Sequence, residues 1–118
     1  MDLDERFHDG LATLEILRAE LLDAREAAKV DPSTWGNWAR GFNQRLHSHR
    51  LRLAILLEPP AGADRRLVAL YGAAKALRGL YEEMNRALEG GHVDIARKRV
   101  EFETALHHAR EAIGQVDL

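Results

Sequence analysis

The 118-residue chain has no cysteine, which excludes disulfides, thiolate metal sites and cysteine nucleophiles, and is compatible with a reducing compartment. Proline is confined to Pro32 and the pair Pro59-Pro60, leaving long stretches free of the strongest helix breaker. Long hydrophobic runs are also missing. A run such as Leu53 to Leu57 is far short of the roughly 20 apolar residues a membrane span needs. The opening MDLDERFHDG is acidic, where a secretory leader would be positive and then apolar. No glycine-rich phosphate loop, nucleophile elbow or histidine-rich zinc signature occurs, so no cofactor and no catalytic residue is assigned. A net charge of −2 gives no bulk attraction to nucleic acid or anionic lipid, so any polyanion site has to be local. The expectation is a cytoplasmic protein with no membrane association.

What is present is a globular composition, with 46% apolar and 31% charged residues, in a length suited to one domain. Three interruptions stand out: Val30-Asp31-Pro32-Ser33, Glu58-Pro59-Pro60-Ala61-Gly62 and Gly90-Gly91. They divide the chain into four helical segments, about 3–29, 32–57, 64–89 and 93–113. Asp31 reads as an N-cap, with Pro32 in the first helical position, where its missing N–H costs nothing.

Helical periodicity marks the buried seams. In the first segment Phe7, Leu14, Leu21 and Ala28 recur every seven residues, accompanied by Gly10, Leu17 and Ala24, with Leu11 and Leu22 widening the stripe. The second aligns Trp35, Trp38, Phe42, Leu46, Leu53 and Leu56, and His49 falls on the same line. The two tryptophans read as bundle-end core whose indole N–H groups need partners. The third carries Leu67, Leu70, Ala74, Leu77, Tyr81, Met84 and Leu88 at heptad spacing. Beside it runs a stripe of small residues, Ala69, Gly72, Ala73, Ala76 and Gly79. The fourth presents Ile95, Phe102, Leu106, Ala109 and Ile113, with Val100 on a flank.

Helices of similar length joined by short connections predict an all-α, antiparallel up-down four-helix bundle in a single domain. Charge agrees with that order. Through Lys29 the chain has eight acids and four bases, whereas Ser33 to Leu57 has four arginines and no acid, so the first two helices are expected to pair by charge.

Candidate chemistry concentrates in RGFNQRLHSHRLRLAILL, residues 40–57. His47 and His49 are two apart, which on a helix is about 200° of rotation, so they cannot share a metal ion. His49 is expected inside as a neutral core histidine, and His47 outside. A metal site would need His49 to meet Glu103 and His107 across the bundle; the expected alternative is a border ion pair between Glu103 and His107. Arg40 and His47, seven apart on one helix face, have the spacing in which a guanidinium holds a phosphate and an imidazole shuttles a proton. That spacing resembles the arginine–histidine pair of the small helical RNases found among bacterial toxins. Arg40, His47, Arg50 and Arg52 are the candidate anion contacts. The fifteen-residue stretch LHSHRLRLAILLEPP resembles the histidine- and arginine-bearing helix of polyphosphate-binding CHAD domains, in the step from His47 to Arg50 and on to Arg52. The resemblance implies anion contacts at those three positions.

The favoured expectation is a non-enzymatic bundle acting through protein–protein interaction or as a homo-oligomer. Its motive is surplus apolar and small surface: Ile16, Leu22, Leu51, Ile55 and Leu80, with the stripe Ala69, Gly72, Ala73, Ala76 and Gly79 as the candidate interaction face. Binding of nucleic acid or polyphosphate by the basic second helix is the alternative, and a small helical RNase or metal-binding bundle the third.

Overall fold

The turn at Asp31 shows how the local sequence sets the architecture. The Asp31 carboxylate accepts from the Ser33 N–H at 3.1 Å and from the Ser33 hydroxyl at 2.8 Å. Pro32 already has helical dihedrals, φ −57° and ψ −24°, so the chain reverses within three residues. In a computed structural model describing residues 3–57, 64–91 and 93–114, four helices follow one another: α1 (Leu3–Val30), α2 (Ser33–Leu56), α3 (Arg65–Leu88) and α4 (Ile95–Ile113). They form an all-α up-down four-helix bundle of 44 × 25 × 24 Å. The expected bounds hold to within two residues. The break expected at Glu58-Pro59-Pro60-Ala61-Gly62 lies outside the described residues.

Later boundaries use standard capping chemistry. Asp64 accepts from the Arg66 N–H at 2.9 Å and opens α3, and Asp94 accepts from the Arg97 N–H at 3.0 Å and opens α4. At the end of α3, Gly90 takes φ +81°. The Gly91 N–H then reaches back to the Arg86 carbonyl at 2.9 Å, and the Gly90 N–H to the Ala87 carbonyl at 3.2 Å. This is the Schellman closure, and its left-handed residue is cheap only for glycine.

The seam residues meet in one core. Phe7, Leu14, Leu21, Phe42, Leu46, Leu67, Leu70, Leu77, Phe102 and Leu106 have no exposed surface. At the end where α2 begins and α3 finishes, an aromatic cluster fills the core. Trp35 stacks on Tyr81 with centroids 5.9 Å apart, and Trp38 on Phe42 at 4.5 Å. Leu80 and Leu88 depart from their expected places. Leu80, expected on the surface, is 1% exposed, because α3 packs against all three other helices and buries a wider arc than one seam; Leu88, expected in the seam, is 45% exposed at the helix end.

The four helices are not equivalent. α1 touches each of the other three, α3 and α4 form the closest pair, and α2 and α4 make no close backbone approach. α1 and α3 therefore form the short diagonal of the bundle, with α2 and α4 on opposite flanks.

Candidate functional site

α2 has two long faces. Trp35, Ala39, Phe42, Leu46, His49 and Leu53 are buried in the core, while Arg40, His47 and Leu51 are exposed. His49 is 4% exposed, and its Nε2 has no hydrogen-bond partner. Burial, and secondarily the Arg52 guanidinium, hold its pKa below the usual imidazole value; the Gly10 backbone carbonyl, acting as a hydrogen-bond acceptor for the ring, opposes them. Burial dominates because transferring a cation out of water costs more than one carbonyl returns.

The ring forms part of a groove between the first half of α1 and the second half of α2, with a volume of about 430 Å³. Gly10 makes the close packing there feasible. A Cβ at that position would lie 3.3 Å from Leu70 Cδ1 and 3.8 Å from His49 Cε1. Leu53, Ile55 and Leu56 supply apolar wall, and Arg6, Asp9 and Arg52 the charges. Sequence reasoning named His49 and Arg52 but not Arg6, Asp9 or Gly10 as neighbours. A glycine within a helical seam is the one signal that could have pointed there.

The four candidate anion contacts do not converge. Arg50 and Arg52 are two apart, so the 200° argument that separates His47 from His49 separates them as well. Arg52 lines the α1–α2 groove. Arg50 is half-buried with its Nε unpartnered, and Arg40 and His47 project from the outer face.

Among the described residues, the expected charge pairing of α1 with α2 is reduced to one ion pair, in which Arg45 donates to Glu20 at 2.6 Å. Other pairs of α1 lead to α3 and α4. Arg18 meets Glu103, Arg110 donates to Glu15 at 2.8 Å, and Asp4 receives Arg66. These pairs tie α1 to α4 and α3, in keeping with its central place. Among the described residues, Asp23, Arg40, Arg50 and Arg52 make no ion pair.

The meeting that a metal site would need does not occur, and the expected border ion pair between Glu103 and His107 is corrected. α2 and α4 do not approach, so His49 does not meet Glu103 and His107. Nor do Glu103 and His107 pair with each other: Glu103 is taken by Arg18, and His107 Nε2 lies 2.9 Å from Glu111. Among the described residues, no group of three or more histidine, aspartate or glutamate side chains is placed to hold a metal ion.

The small-residue stripe of α3 lies toward α4. Ala73 is fully buried, and Ala69, Ala76 and Gly79 are half-buried. Ala69 and Gly72 share a groove with Ala105 and His108 of α4, and a Cβ on Gly79 would lie 4.0 Å from Lys98 Cδ. Small side chains let two backbones approach, and here the approaching backbone is largely the chain's own fourth helix. Only Gly72 is open to solvent.

Comparison with known proteins adds no relative. The chain matches no family model, no curated protein and no solved structure. Among the described residues no helix is long and apolar enough to cross a membrane.

Proposed function

We propose that the protein acts without catalysis, as a helical bundle that pairs with a second copy of itself through the outer face of the α1–α2 layer. The observation that carries this reading is that the face is self-complementary in charge. Asp23, nine residues past Leu14, and Arg40, nine before His49, both point about 180° away from the core. They are exposed and make no ion pair among the described residues. Because α1 and α2 run antiparallel, and Glu20 meets Arg45, Asp23 and Arg40 stand at nearly the same height on adjacent helices. A two-fold axis between α1 and α2, parallel to them, brings Asp23 of each copy opposite Arg40 of the other.

Apolar surface accompanies the charge. Ile16, 60% exposed, and Leu51, 51% exposed, each lie two residues past a buried position, Leu14 and His49, and so turn to the same outer face. A two-helix face on a 44 Å bundle can bury about 800 Å² per partner, the size of a standard interface. The surface is closed by symmetry, so the assembly stops at a dimer.

The test is a charge swap followed by sedimentation. Wild type is expected to dimerise, and Asp23→Arg and Arg40→Glu are each expected to be monomeric. A mixture of the two variants should form a heterodimer, because both contacts are then opposite in sign. A monomeric wild type at about 100 µM, well above the dissociation constants typical of such interfaces, or a mixture that stays monomeric, rejects the reading. Capture of a different protein by wild type and not by Arg40→Glu would replace the second copy with an acidic partner.

A further inference from the structure

The α1–α2 groove contains features that self-association does not use. Its lining includes His49, whose buried Nε2 has no partner, an arrangement that costs stability unless something meets it. Its wall combines Leu53 and Leu56 with the guanidinium groups of Arg6 and Arg52. Neither arginine makes an ion pair among the described residues, although acids on α1 pair with other helices. A volume of about 430 Å³ lies within the range of small-molecule pockets, roughly 300–1,000 Å³.

We infer that this groove is a binding site for a small monocarboxylate with an apolar tail. The carboxylate would lie between Arg6 and Arg52 and take a hydrogen bond from His49 Nε2, and the tail would cover Leu53 and Leu56. Guanidinium forks match the planar carboxylate geometry. The apolar wall selects against a wholly polar anion. With His49 neutral, Asp9 reduces the formal charge of the free groove to +1.

His49 gives the site a proton-linked signature. Burial and the neighbouring Arg52 guanidinium hold the His49 pKa below its ordinary value, so the unliganded ring favours the neutral form. The charged groups that line the groove with His49 are Arg52 from its own helix and Arg6 and Asp9 from α1, and Leu70 of α3 lies beside Gly10 at the same level. A bound carboxylate adds the negative charge that stabilises imidazolium, so binding takes up a proton and tightens as pH falls toward 6.

The probe is sodium octanoate, titrated calorimetrically into the full chain, with octanol as the uncharged comparison. Octanoate is expected to bind one site per chain with a dissociation constant on the order of 0.1 mM, and octanol at least about tenfold more weakly. Arg52→Gln should weaken octanoate about tenfold without affecting octanol, since one charge-assisted hydrogen bond contributes about 1.5–3 kcal/mol. Affinity should improve several-fold from pH 8 to pH 6 in wild type and stay flat in His49→Phe. No saturable binding, equal affinity for octanol, or an unchanged Arg52→Gln overturns the proposal. Repeating the titration on Arg40→Glu separates it from self-association, because Arg40 is not part of the groove: binding there is expected whether or not wild type dimerises.

Discussion

The Trp35 indole N–H donates to Asn85 Oδ1 at 2.5 Å across 50 residues of sequence, pinning the start of α2 to the last turns of α3. Trp35 is 5% exposed and stacks on Tyr81. Its N–H lies where water cannot readily replace the amide, so removing the acceptor leaves a buried donor unmet. Asn85→Leu is expected to cost about 1–3 kcal/mol, read as a lower denaturant midpoint with an unchanged m-value. A midpoint equal to wild type would mean that the indole finds another acceptor.

The turn between α3 and α4 yields a second prediction. Gly90 must take φ +81° for the Schellman bonds to close, and no neighbour would obstruct a Cβ there. The cost of Gly90→Ala is therefore backbone strain alone, about 1–2 kcal/mol. Gly90→Asn should recover part of it, because asparagine tolerates the left-handed region better. Thermal denaturation of the pair checks both, and equal losses would show that strain is not the cause.

Much of the core was legible because 3.6-residue periodicity needs only the sequence. The positions of Phe7, Leu14, Phe42, Leu46, His49 and Phe102 follow from it directly. Leu80 was misread because a heptad describes a narrow seam, whereas α3 has neighbours on two sides and buries a wider arc. The splitting of Arg50 from Arg52 was legible too, by the rotation already applied to His47 and His49. The groove was not: placing Gly10 beside His49 requires knowing which faces abut and at what height. The pairing of Arg18 with Glu103, 85 residues apart, has no local signal either.

His49 makes stability depend on pH with a definite sign. Its folded-state pKa lies below the ordinary value of 6.5, so the unfolded chain binds the proton more readily than the folded one. Stability attributable to this residue is full above pH 6.5 and falls as pH drops from there toward the lowered folded pKa. In His49→Phe that loss is absent. Denaturation midpoints between pH 7.5 and 5, above most carboxylate titration, should decline more steeply in wild type than in the variant. Parallel curves would show that the ring titrates as it does in the unfolded chain.

The α3 stripe offers an internal contrast between two adjacent small residues. Ala73 has no exposed surface and lies one helical turn past Ala69, which shares a groove with Ala105 and His108 of α4. Extra methylene groups there push the two closest helices apart, so Ala73→Leu is expected to cost about 1–3 kcal/mol. A Cβ on Gly72 would meet nothing within 4 Å, and the residue is exposed, so Gly72→Leu removes a helix-weakening glycine without a clash. Its stability should match or exceed wild type by up to about 1 kcal/mol. Since the proposed dimer uses α1 and α2, Gly72→Leu should also sediment like wild type. A variant that kept its stability but lost self-association would move the interface to α3.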